Sequence, residues 1–169
     1  MTDGEEVPYR LPEPDAHPGS IALRLMEVAE HEHLKDVRIE YLMSQSPIIK
    51  AQKQVIGAVH LPTVQGKLKN LFEMLLAQFF DGMPEFLMII DADWWGAANE
   101  NEREALVWHE LCHIKQERDK NGDLAFDKEG NPKFGLVEHD VTAFNSEVAR
   151  YGAWSPDLQQ FLASAKNYQ

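Results

Sequence analysis

From Ala97 to Asn121 the chain carries neither proline nor glycine, so nothing in this stretch stops a helix once it has begun. Asn99 or Asn101 can cap it, and Glu102 and Glu104 fall in the first turn, where the helix dipole favours negative charge. The pattern predicts a helix from there to about Arg118. Inside it stands the run His109-Glu110-Leu111-Cys112-His113, an H-E-x-x-H. Residues four apart lie about 40° apart around a helix, so His109 and His113 project side by side. Neutral imidazoles at that spacing can take two corners of a Zn²⁺ tetrahedron. Glu110 is turned about 100° from His109, off the metal but within reach of a water in the open position. There it can act as general base and deliver the proton to a leaving amine.

Two imidazoles do not complete a catalytic zinc site, which needs a third protein ligand. The extended form H-E-x-x-H-x-x-G-x-x-H fails, because Gln116 and Asp119 stand where glycine and histidine belong. The third ligand must come from further on, where Glu138, His139, Asp140 and Glu147 precede or occupy the next apolar-faced helix. His139 is the first choice, since imidazole suits zinc and no other histidine follows His113. Helical projection from the apolar stripe puts Asp140 and Glu147 nearer the buried flank, so His139 requires a helix that begins there or later. Asp140 and Glu147 stay open as ligands, and Asp140 also as an acceptor that orients a ligand imidazole.

The other reactive side chains read as structural. His31 and His33, two apart on a helix, do not face each other and are expected in solvent. His60 ends a strand, Trp94 and Trp95 read as packing, and Cys112 reads as a small core residue turned away from His113. Asp127 to Glu138 has the acidic ends of an EF-hand loop, but Pro132 stands where that loop needs glycine, which argues against calcium.

With 169 residues, 44% of them hydrophobic, the chain suits one compact domain, read as residues 19–169 behind a mobile, acidic, proline-rich tail of residues 1–18. Sixteen basic against 28 acidic residues give a net charge of −12, with no basic stripe for a phosphate backbone or an anionic membrane. No apolar run approaches the roughly 20 residues that span a bilayer, and the N-terminus is acidic where a secretory signal would be basic. A soluble, cytoplasmic protein is expected, and the lone Cys112 fits a reducing compartment.

Ser20 can cap a helix from about Ile21 to Leu34. Val37, Ile39 and Tyr41 alternate as in a strand, and "QVIGAVHL" reads as a second strand closed by Pro62. Residues 69–80 form an apolar helix stopped by Gly82 and Pro84, and "EFLMIID" has the length and composition of a central strand. A hairpin or lobed loop is expected around Gly130-Asn131-Pro132. A helix through "DVTAFNSEVARY", carrying Val137, Val141, Phe144, Val148 and Tyr151 on one stripe, ends at Gly152. Ser155 and Pro156 start a last helix to about Lys166.

In this order, "RIEYL", "EFLMIIDADWW", "REALVWHELCHI", the hairpin, "LVEHDVTAF" and "RYGAW" resemble the putative phage metallopeptidase family of bacteriophages and prophages, and more distantly the SprT-like zinc proteases. The resemblance covers roughly residues 35–165. It implies a small zincin-like α+β domain, a short mixed sheet packed on helices with the motif on a central helix. It further implies His109, His113 and His139 as zinc ligands and Glu110 as catalyst, while saying little about substrate; the reading as a whole is a zinc metallopeptidase that cuts a peptide or protein in the host cytoplasm. The rival expectation is a zincin-fold binding module that engages a host or phage protein without cutting it.

Overall fold

The computed structural model describes residues 8–168. It is an α+β fold with a mixed sheet. Its chain divides into two compact units, one up to Val137 and a short one from Glu138.

The first unit is built on a four-stranded sheet of order β1-β2-β6-β5. Strand β2 (Ile39–Ser44) runs parallel to β6 (Phe86–Asp91), with Tyr41 opposite Met88 and Ser44 opposite Asp91. Strands β1 (Tyr9–Arg10) and β5 (Gly57–His60) flank this pair in antiparallel register. The apolar run is central, as expected, because Phe86, Met88 and Ile90 alternate toward one face and are fully buried there. That face is covered by α1 (Pro18–Leu25) and by α4 (Glu100–Cys112), whose Leu106, Val107 and Leu111 join the same core. A short helix α3 (Ala92–Ala97) links β6 to α4 and buries Trp95. Asn99 caps α4 in a reciprocal capping box with Glu102, a device worth about 1 kcal/mol at a helix start.

Several boundaries differ from the sequence expectation. Residues 1–7 of the expected tail lie outside the described residues, but from Tyr9 onward the segment belongs to the fold. Tyr9 pairs with Ser44, Pro12 is buried, and the Trp95 indole donates to the Ala16 carbonyl at 3.0 Å. Helix α1 begins at Pro18 rather than after Ser20, since proline is preformed for the first helical position and His17 Nδ1 accepts from Gly19 N–H. It ends at Leu25, and turns carry the chain to Leu34. "QVIGAVHL" is split at Ile56 into β4 (Lys53–Val55) and β5, and β4 pairs with an unforeseen β3 (Ile48–Lys50). That hairpin closes through Ala51 and Gln52, both at positive φ, as a two-residue loop requires. Helix α2 (Lys69–Phe79) lies where expected.

Helix α4 stops at Cys112 instead of continuing to Arg118, because the next residues form β7 (Ile114–Gln116) against β8 (Phe134–Leu136). Pairing with a remote strand overrides helix propensity here. The connection is the expected lobed loop, with Gly130 at positive φ and the Asp127 carboxylate accepting the Glu129 and Asn131 amides.

His31 is a clear departure. With α1 ended at Leu25, helical projection no longer applies, and the imidazole is 1% exposed, edge-on to Trp108 at 4.3 Å. Neither ring nitrogen has a hydrogen-bond partner among the described residues. Burial, then the charges of Lys115 and His33, lower its pKa, with Glu30 opposing. The unfolded chain therefore binds the proton more readily than the folded one, so stability is full above about pH 6.5 and is lost as pH falls through the lowered value. His31→Leu is expected to stabilise the fold by about 1 kcal/mol at pH 7.5 and by more at pH 5.5, since an apolar side chain removes an unsatisfied buried donor and acceptor. Urea unfolding at both pH values measures this, and an equal or negative difference at the lower pH would contradict it.

The second unit holds α5 (Asn145–Tyr151) and α6 (Pro156–Lys166). Helix α5 begins later than the apolar stripe suggested, with Val148 N–H bonding to the Phe144 carbonyl, and Gly152 at positive φ ends it as expected. Ser155 caps α6, with Pro156 in its first turn.

Candidate metal centre

Leu106, Val107 and Leu111 define the core-facing stripe of α4, and Glu110 lies in that stripe. Its carboxylate is thereby carried inward, to 4% exposure. It is held there by β5, where the Val59 N–H donates to Oε2 at 3.0 Å. The absence of a side chain on Gly57 makes room: a Cβ there would stand 3.1 Å from Leu106 and 3.5 Å from Glu110 Oε1. A buried carboxylate is costly unless hydrogen-bonded, and the free edge of β5 supplies that bond.

His109, one residue back, projects to the exposed side of α4, and His113 is the residue on which the helix closes. Their rings lie edge to face with centroids 5.1 Å apart. His113 is 9% exposed. Its Nδ1 lies 2.7 Å from the Val137 carbonyl, while Val137 N–H donates to the His113 carbonyl at 2.8 Å. A proton on Nδ1 bonded to that carbonyl leaves Nε2 as the lone-pair nitrogen, the tautomer a metal requires. His139 is two residues beyond Val137, and one nitrogen from each of His109, His113 and His139 falls within 4.8 Å of the others.

The electrostatics favour the neutral form of His109 and of the nearby His60. Burial lowers the pKa of His109 first, and the charges of His113 and Lys50 lower it further. His60, at the end of β5, is likewise lowered by burial and by Lys50, with Glu110 opposing. Lys50 and His60 therefore border the centre, which the sequence did not suggest. The donor set of three imidazoles fits a borderline-soft divalent ion.

Asp140 lines a separate recess with Asp157 and Gln160 of α6, and the side chain of Glu147 lies outside the described residues. Cys112 is exposed rather than a core residue, because the core-facing stripe passes through Leu111 and leaves position 112 on the outer side. Trp94 and Trp95 pack against the core as expected, Trp95 under the Arg103 guanidinium at 5.3 Å.

The family described as Putative phage metallopeptidase matches residues 14–166. The chain belongs to this family. No curated protein and no solved structure matches it. Membership and the three-histidine cluster together point to a metal ion, which His109, His113 and His139 could hold. Among the described residues no helix is long and apolar enough to cross a membrane.

Proposed function

We propose that the chain is a zinc-dependent peptidase, phage- or prophage-encoded and working in the bacterial cytoplasm, in which His109, His113 and His139 hold the ion. The observation that carries this reading is the placement of Glu110. A carboxylate 4% exposed is fixed by the Val59 N–H on the same helix that presents the histidine pair. A structural metal site has no need of such a group, whereas peptide hydrolysis does.

Zinc, when bound, supplies Lewis acidity toward a scissile carbonyl and lowers the pKa of water to about 7. The rest is done by the chain. Glu110 takes the proton from the attacking water and returns it to the leaving amine, while the Val59 N–H keeps the carboxylate from rotating away. The Val137 carbonyl orients His113. Among the described residues β5 is the sheet's last strand; Gly57 to Val59 are buried with Glu110 on the Val59 N–H, and the strand comes to the surface at His60, where a substrate can approach.

The test is metal analysis of untagged protein, followed by digestion of a peptide library with and without chelator, read by mass spectrometry. About one zinc per chain and cleavage abolished by chelation are expected. Protein that takes up no zinc and shows no chelator-sensitive cleavage would overturn the reading.

A further inference from the structure

A groove of about 860 Å³ lies within the first unit, between the end of β5 and the β7–β8 hairpin. Leu61, Leu124, Leu136 and Val137 give it an apolar lining, and each of the four is between 40 and 47% exposed. Large apolar side chains gathered around one concavity mark a binding surface rather than scattered surface residues. Two of them tie the groove to the candidate metal centre. Leu61 directly follows His60, the last residue of β5, and Val137 supplies the carbonyl that holds His113.

The groove's continuity with the candidate centre gives it its occupant, a substrate held there, and β5 relates the two. Asp91 N–H bonds to the Ile56 carbonyl at 2.9 Å, so Ile56, and by alternation Ala58 and His60, turn their main-chain groups toward β6. Gly57, Val59 and Leu61 then turn theirs away from β6, and the Val59 bond to Glu110 follows this alternation; Gly57 to Val59 are buried, and the chain comes to the surface at His60 and Leu61. A peptide held at the centre beside Glu110 meets the groove at Leu61, where the chain leaves β5. The groove's charge differs from that of the chain. Lys115 and Arg118 stand in its wall against Glu30 and Glu117, and Lys133 compensates Glu117 at 3.2 Å, while the whole chain carries −12.

We propose that this groove binds the substrate residues to one side of the scissile bond and selects a bulky apolar side chain with an acidic residue beside it. Leu61, Leu124, Leu136 and Val137 receive the apolar group, and Lys115 pairs with the carboxylate. This inference rests on the peptidase reading above, since it names the substrate class of the same centre.

The experiment profiles cleavage of a randomised decapeptide library by the zinc-loaded wild type, Leu124→Asp and Lys115→Glu. Both positions are exposed, and circular dichroism checks the fold. Wild type should prefer Leu, Met or Phe at one fixed position and Asp or Glu next to it. Leu124→Asp should lower the apolar preference about tenfold or more, and Lys115→Glu should replace the acidic preference by a basic one. Unchanged profiles in both variants overturn the groove assignment while leaving the peptidase reading intact. Retention of the same library on zinc-loaded Glu110→Gln protein separates the two ideas. If the wild type cuts nothing but retention shows the same preferences, lost in the same variants, the groove stands and the peptidase reading falls. Absence of cleavage, together with retention that the variants do not alter, overturns the groove.

Discussion

Replacing Glu110 by glutamine is expected to leave zinc content and fold intact and to lower peptide hydrolysis by at least the ~10²-fold typical of losing one acid–base group. Glutamine keeps the length and shape of the side chain. Its amide oxygen can still accept from the Val59 N–H that now reaches Oε2 at 3.0 Å, and neither imidazole is disturbed. What disappears is the capacity to take a proton. A peptidase therefore loses turnover while its affinity for a peptide persists. A binding module built on the same fold would show no change in partner affinity and no chelator-sensitive cleavage in the parent protein. Peptide-library digestion by wild type, Glu110→Gln and chelated wild type, with circular dichroism as the fold control, distinguishes these outcomes. Equal cleavage by wild type and Glu110→Gln would remove Glu110 from the mechanism. Gly57→Ala is an internal comparison, because its added methyl presses on Leu106 and the Glu110 carboxylate while leaving that carboxylate able to titrate.

The motif was legible because its chemistry depends on spacing along one helix, and α4 forms from local signals: the Asn99–Glu102 box at its start and the absence of breakers. The inward turn of Glu110 was also readable in principle, since Leu106, Val107 and Leu111 mark its stripe at i−4, i−3 and i+1. The Val59 N–H that holds the carboxylate was not, because it depends on which strand lies at the sheet's edge, a matter of tertiary pairing. The same cause accounts for the early end of α4. Ile114 to Gln116 continue a helical pattern in isolation, yet pair with Phe134 to Leu136 across an intervening loop. His31 shows how one boundary error spreads, for an expected helix to Leu34 placed in solvent a side chain that the fold buries against Trp108. Conversely, the late start of α5 at Asn145 meets the condition set for His139, which needed a helix beginning at or beyond its own position.

The ligand set makes the second strong prediction. His109→Ala and His139→Ala are each expected to weaken zinc binding more than ~10²-fold, beyond the ~10–100-fold typical of losing a group that only orients a ligand. Asp140→Ala and Glu147→Ala are expected to retain it. Competition with a chromophoric chelator at pH 7.5 measures all four, with total metal content as a second readout. The pH dependence follows from the same groups. Zinc competes with protons for neutral imidazole, and the pKa of His109 is lowered by burial first, then by His113 and Lys50. The neutral, ligating form of His109 therefore persists below the usual imidazole value near 6.5, and the part of zinc release that reports on His109 should set in at a lower pH than for an exposed histidine pair. Lys50→Ala removes one of the lowering charges, so the same release should then begin at higher pH. If His139→Ala kept full affinity while Asp140→Ala or Glu147→Ala lost it, the centre would be two histidines and a carboxylate. That outcome would leave Glu110 in place but change the charge of the site by one unit, and with it the acidity of the water that Glu110 must deprotonate.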